Sequence, residues 1–274
     1  MSQGRKIITN LAEMLALERI EHNIYRGHAP ADGFSRLFGG CVVAQALLAA
    51  YDTVDEQVCH SLHSYFIHPG DPQKPVLFEV DRARDGGSFA TRRVIALQDG
   101  RQILNLAASF QKPADGFEHQ MAFDPAIPMP EMLIDDDLRG EHMGLQLRNI
   151  SVPRPGMVAE ERPPYHQMWF RSAWPLGPEI RHHQAALAYA SDYPMLPVMV
   201  QPHPVTWKTP GFQFASLDHS LWFHRPFDFT RWHLCAMDTP STSGGRGLGR
   251  GTIYAQDGTL VASVAQEGML RMRQ

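Results

Sequence analysis

The sequence predicts an α+β protein built from two tandem copies of one unit, each a long antiparallel sheet wrapped around a central apolar helix. Three observations predict it. The stretch "LHSYFIHPGD" (Leu62 to Asp71) is echoed by "DHSLWFHRPFD" (Asp218 to Asp228), with His63 and His219 standing 156 residues apart. Further marks recur at a spacing of 158: Gly86-Gly87 with Gly244-Gly245, Arg92 with Arg250, and Gln98-Asp99-Gly100 with Gln256-Asp257-Gly258. In each copy a helix-like run comes first, then apolar or alternating segments that break at Asp-Gly and resume with β-branched residues. That is the pattern of a hairpin of long strands, and a fixed period of this length signals a duplicated unit.

Taken in order, "NLAEMLALERI" (Asn10 to Ile20) places Asn10 and Glu13 in capping-box positions and reads as a helix packed onto the first unit. "FGGCVVAQALLAAYDTV" (Phe38 to Val54) is apolar on nearly every side, as a wholly buried helix must be. "VLFEVDRARD" (Val76 to Asp85) supplies a strand ahead of the first hairpin. The Pro-rich segment from Lys112 to Gly144, with an acidic cluster at Asp135 to Asp137, reads as a surface connection. Strand patterning returns in "LQLRNISV" and "HQMWFRSAW". "PEIRHHQAALAYASD" reads as a second helix starting at Pro178, with Glu179 in its first turn. "RWHLCAMDTP" (Arg231 to Pro240) is the strand before the second hairpin. The expected division is a first domain over 1–115, a connection over 116–145 and a second domain over 146–274.

Composition narrows the class. The 274 residues are 43% hydrophobic and 20% charged, enough to bury a sizeable core. A net charge of -4 without a dense basic block excludes a nucleic-acid footprint. The N-terminus is too polar for a signal peptide, and no uninterrupted apolar run is long enough to span a bilayer, so no membrane partner is expected. Cys41, Cys59 and Cys235 lack any CxxC spacing. They read as reduced, mostly buried thiols, which places the protein in the cytoplasm.

No cofactor or metal is called for. His63 and His68, like His219 and His224, are five apart and leave a strand on opposite faces. His182-His183, near a helix start, read as solvated. "GGRGLGRG" lacks the following helix of a phosphate loop and reads as a close-packed strand. Polar residues inside apolar runs are more informative, since each needs a partner or a job. Gln45 lies in "VVAQALLAA", Asp192 between "ALAYAS" and "YPMLPVMV", Ser216 in "FQFASLDHS" and Gln266 in "TLVASVAQEG". For Asp192 two readings stand at this point: a cap on backbone amides, or a catalytic carboxylate.

The blocks "FGGCVVAQAL", "HSYFIHPGD", "RDGGSFATRRVIALQDG", "YASD", "ASLDHSLWFHRPF" and "VAQEG" resemble, in this order, the acyl-CoA thioesterase II family of double-hotdog enzymes. The resemblance implies hydrolysis of acyl-CoA to fatty acid and CoA, by a water held by Asp192, Ser216 and Gln266. Some relatives have threonine at the position of Ser216; serine retains the hydroxyl without the methyl group that stiffens the rotamer. Ala108 stands 158 residues before Gln266, and the first buried helix has Gln45 and no acid. One catalytic half and one supporting half are therefore expected. Gly39 and Gly40, opening the first buried helix, are candidate oxyanion donors, and Arg84, Arg246 and Arg250 are candidates for the CoA phosphates. A homo-oligomer, dimer or tetramer, is expected from exposed sheet edges. Two alternatives remain: an enoyl-CoA hydratase or dehydratase using Asp218-His219, and a non-catalytic acyl-CoA binding module.

Overall fold

In a computed structural model describing residues 10–30, 36–133, 144–150 and 155–273, Asn10 opens α1 (Leu11–Leu15), its Oδ1 accepting from the Glu13 N–H at 2.8 Å. The helix is shorter than its sequence pattern because β1 (Glu18–Glu21) already pairs with β2 (Ile24–Gly27). The first apolar run forms α2 (Gly39–Tyr51), buried from Gly40 onward. Gln45, buried within it, donates to the carbonyls of Met14 and His28 at 2.8 and 2.9 Å. Its job is structural: it ties α1 and the chain after β2 to the helix.

β3 (Val58–Phe66), β4 (Val76–Asp85), β5 (Phe89–Gln98) and β6 (Arg101–Gln111) complete the first half. The β5–β6 turn has Asp99 and Gly100 both at positive φ, 49° and 72°, as a two-residue hairpin loop of the twist-compatible kind requires. The second half contains β7 (Leu145–Asn149), β8 (Tyr165–Ser172), α3 (Ile180–Ser191) and α4 (Met195–Val200). Then come β9 (Phe212–Ser216), β10 (Asp218–Phe223), β11 (His233–Ser243), β12 (Arg246–Ala255) and β13 (Leu260–Met272). Pro178 and Glu179 stand outside α3, which begins at Ile180; Glu179 is its N-cap residue and makes no side-chain cap bond. His183 is buried rather than solvated. Its Nδ1 accepts from the Phe229 N–H at 3.1 Å and its Nε2 bonds the Gly177 carbonyl at 2.9 Å.

Among the described residues the strands form one antiparallel sheet in the order β1-β2-β4-β5-β6-β3-β10-β13-β12-β11-β8-β7, with β9 also on β13. The order is mirrored about the β3–β10 contact, so the two strands that echo each other in sequence are the pair that joins the halves. α2 and α3 pack against each other on the inner face, inside one continuous apolar core. They run antiparallel: the start of α2 meets the end of α3 through Gly40 and Asp192, and the start of α3 meets the end of α2 through Arg181 and Asp52.

The echo does not mark equivalent positions. His63 is exposed and pairs with Ser220, whereas His219 is fully buried and pairs with Ser64. Arg92 is buried and Arg250 exposed. A shift of one residue along a strand turns a side chain to the other face, and both echoes are one residue out of phase with the fold. The ladder gives the true correspondence. Leu62 pairs Ala108, which pairs Arg92. One step beyond Ser220↔Ala265, His219 faces Gln266, which pairs Gly249. Three residues before each of these, past an irregularity in each strand, Cys59 pairs Phe110 and Ser216 pairs Gly268.

The inner-face glycines of β12 and β13 admit α4: a Cβ on Gly249 would lie 3.3 Å from the Met195 carbonyl, and one on Gly268 2.5 Å from Leu196. The connection lies on the second half, held by Gln120 on Gly258 and Leu260 and by Trp169 on the Pro128 carbonyl. The acidic cluster Asp135 to Asp137 lies outside the described residues. All three cysteines are free and buried. No described helix is long and apolar enough to cross a membrane.

Candidate active site

Asp192 follows the last turn of α3 as its C-cap residue and is buried. The antiparallel helix pair aims it at the N-terminus of α2, where the first amides have no partner within their helix. Its Oδ2 accepts from the Gly40 N–H at 2.8 Å. The contact requires glycine, since a Cβ on Gly40 would stand 2.3 Å from the Tyr189 carbonyl and one on Gly39 2.9 Å from Asp192 Oδ2. Phe38, the N-cap residue of α2, meets the Tyr189 ring edge-on at 5.2 Å and closes the junction.

Asp192 Oδ1 accepts from Ser216 Oγ, at the end of β9, at 3.2 Å. Gln266 Nε2, from β13, donates to Ser216 Oγ at 2.8 Å. Gln266 Oε1 is 2.6 Å from His219 Nδ1, and His219 Nε2 is 2.9 Å from Ser191 Oγ. The three residues expected from sequence thus come together from α3, β9 and β13. A buried carboxylate, a hydroxyl and a carboxamide in hydrogen-bonded sequence can hold a water and take its proton. The capping and catalytic readings of Asp192 are not exclusive here, because one oxygen caps α2 and the other faces Ser216.

Two family models match this chain, "Acyl-CoA thioesterase N-terminal domain" over residues 28–111 and "Acyl-CoA thioesterase" over residues 146–269. Acyl-CoA thioesterase 2 of Haemophilus influenzae is 38% identical, with 97% of this chain and 98% of that one covered. Acyl-coenzyme A thioesterase 8 of Homo sapiens is 37% identical over 95% of this chain and 88% of its own. A crystal structure of an acyl-CoA thioesterase II from Mycobacterium marinum superposes with a TM-score of 0.81 at 39% identity, covering 96% of this chain and 99% of that one. The chain belongs to the acyl-CoA thioesterase II family. It is a thioester hydrolase with the tandem hotdog fold, whose two helix-in-sheet units its repeat predicts.

Other sequence candidates fall elsewhere. Arg246 bonds Glu267 at 2.8 Å and Arg250 bonds Asp238 at 2.7 Å. Their neighbours Gly247 and Gly249 face inward, so both arginines lie on the sheet face opposite Gln266, each engaged by a carboxylate. Arg84 is exposed on β4, and its carbonyl accepts from Arg92. Asp218 and His219 leave β10 on opposite faces; Asp218 Oδ1 accepts from the Glu267 N–H at 2.6 Å, and burial raises its pKa. They form no acid–base pair. Among the described residues no group of three or more His, Cys, Asp and Glu could hold a metal.

Sequence reasoning missed two neighbours of these groups, His219 as an inward residue and Ser191, and also the counterpart of Asp192 in the first half. That counterpart is Asp52, the C-cap residue of α2, which pairs with Arg181 at 2.8 Å. The signal was present: "AAYD" ends one helix as "YASD" ends the other.

Proposed function

We propose that this chain hydrolyses acyl-CoA thioesters to free fatty acid and CoA with a water activated by Asp192 and positioned by Ser216 and Gln266. The observation that carries this reading is the hydrogen-bonded chain from Gln266 through Ser216 to the buried carboxylate of Asp192, its members drawn from separate elements. In this reading the water donates to Asp192 and accepts the second amide hydrogen of Gln266, the first being on Ser216. Its oxygen attacks the thioester carbon as its proton passes to Asp192. The tetrahedral oxyanion then collapses, the C–S bond breaks, and the departing CoA thiolate recovers the proton. Thiolate leaves readily enough that an oriented water and a base suffice.

Gly40 N–H is already bonded to Asp192, which removes it as an oxyanion donor; we assign that role to the Gly39 N–H of the same turn. Arg246 and Arg250 are not retained as phosphate anchors, since each is engaged by an acid facing away from the site. Arg84, without an ion pair among the described residues, is retained. The domain division at 1–115, 116–145 and 146–274 is supported by the end of β6 at Gln111 and the start of β7 at Leu145. A homo-oligomer is supported by exposed Tyr65 on the outer face of the central strands, beside His63 and Trp222. Three free thiols favour the cytoplasm.

The test mixes the protein with a medium-chain acyl-CoA and a thiol-reactive dye, with an enoyl-CoA absorbance trace in parallel. Thiol release by the wild type, lost in Asp192→Asn, is the expected result. Absorbance change without thiol, or binding without turnover, overturns the proposal.

A further inference from the structure

We infer that His219 is the positioning residue of this site: its Nδ1–H fixes the carboxamide of Gln266 in the one orientation that delivers the Ser216 proton to Asp192. The inference rests on the catalytic reading above and extends it by one residue.

The polarity of the chain is forced from one end. An ionised carboxylate only accepts, so the single proton of Ser216 is directed at Asp192 Oδ1, 3.2 Å away. Ser216 Oγ must then accept from its other neighbour, which turns the NH₂ end of Gln266 toward it at 2.8 Å. The carbonyl end of Gln266 therefore faces His219, and Nδ1, 2.6 Å from Oε1, must bear a hydrogen. Beyond the ring the sequence stays consistent. With the hydrogen on Nδ1, Nε2 accepts, so Ser191 Oγ donates to it at 2.9 Å rather than to the Ala188 carbonyl 3.3 Å away. In the opposite tautomer Nδ1 accepts, and the amide must flip to offer NH₂ to the ring. Ser216 then gives its proton to Oε1, and Asp192 Oδ1 loses its donor. An amide can rotate by half a turn at little steric cost; the imidazole makes the two orientations unequal.

The supporting half provides an internal comparison. The ladder sets Leu62 in the place of His219 and Ala108 in the place of Gln266. Cys59 stands in the place of Ser216, and Tyr51 in that of Ser191. Leu62 and Ala108 are both buried. Where the carboxamide is absent the imidazole is absent too, although the position is equally enclosed. A histidine needed only to fill space has no reason to accompany the glutamine.

The test is a cycle of four proteins: wild type, His219→Leu, Gln266→Ala and the double variant. The two substitutions install residues that the fold already accepts at the equivalent positions. We expect His219→Leu to lower kcat about tenfold or more with KM within about twofold. On the Gln266→Ala background the same change should have no further effect on kcat, because His219 acts only through the amide. His219→Asn, whose side-chain N–H falls near Nδ1, should recover most of the loss. Nitrogen-15 NMR of the labelled enzyme should show a protonated Nδ1 on His219. Additive effects on kcat, wild-type kcat in His219→Leu, or an unprotonated Nδ1 would each overturn the inference. A wild-type rate in Asp192→Asn would instead overturn the catalytic reading, so the two failures are distinguishable.

Discussion

Replacing Asp192 by Asn removes the proposed base while adding almost no volume, and the structure says what else it changes. Oδ2 is bonded to a backbone N–H that cannot move, Gly40 at 2.8 Å, so the Asn oxygen must take that side. The new NH₂ then faces Ser216 Oγ, which already receives Gln266 Nε2. Ser216 can accept both, but its own proton loses its acceptor. One buried hydrogen bond is thus reversed rather than left as an empty cavity, a change of about 0.5–1.5 kcal/mol. For a chain of this size that corresponds to a Tm lower by about 1–3 °C. An amide cannot take a proton from water, so kcat should fall by about 10²-fold or more, the scale of a general-base contribution. Thiol release measured at saturating acyl-CoA, beside a thermal melt, separates the two effects. A folded Asp192→Asn protein retaining more than about half the wild-type kcat would refute the assignment of Asp192 as base.

Ser216→Ala should lower kcat more than Ser216→Thr, which keeps the hydroxyl and should stay within about tenfold of wild type; equal rates for wild type and Ser216→Ala would remove the hydroxyl from the mechanism. Gly40→Ala should lower both stability and rate, because its Cβ would meet the Tyr189 carbonyl, a backbone atom, at 2.3 Å; unchanged melting and turnover would show the helix junction to be looser than described. Burial holds the pKa of His166 and of His233 down to about 4, so below about pH 6.5 the unfolded chain binds more protons than the folded one. Their contribution to stability is present above pH 6.5 and is lost as pH falls toward 4; a denaturant midpoint that is flat from pH 7 to 5 contradicts this. Light scattering should give a mass above the 30.8 kDa of one chain, and a monomer at all micromolar concentrations would exclude the oligomer.

Much of the site was legible because a polar residue inside an apolar run needs an explanation. Asp192, Ser216 and Gln266 were each visible on that ground before any geometry. The buried helix α2 was equally plain, its run from Phe38 having no hydrophilic face. His219 was not legible. Strand alternation separates it from Asp218, but only the pairing of β10 with β13, and the irregularity at Leu217, decide which of the two faces the helices. The echo itself misled at this point, since "HS" occurs in both strands with opposite facing. The Gly40–Asp192 bond joins residues 152 apart in the chain, and no local pattern announces a contact that depends on how two helices cross.

The asymmetry of the duplication follows from one electrostatic problem met twice. Each buried helix ends in an aspartate, and a carboxylate beside the C-terminal carbonyls of its own helix is unfavourably placed. The antiparallel arrangement supplies a remedy at both ends, because each C-terminus lies at the other helix's N-terminus. Asp192 receives a backbone N–H from Gly40, a donor without net charge, and stays buried, with acceptor capacity left for Ser216 and, in the proposed mechanism, a water. Asp52 receives instead the guanidinium of Arg181 and sits at the surface. Behind it Tyr51 occupies the space of Ser191, its hydroxyl bonded to Gln184 and accepting from the Cys59 N–H, so the first half fills with a phenol the place where the second has a small hydroxyl. The first half nevertheless contributes Gly40 and the β3 edge to the catalytic side. Each half of this chain therefore contributes to the proposed site, and separating them at the connection would remove a donor from Asp192 as well as a pairing edge from β10.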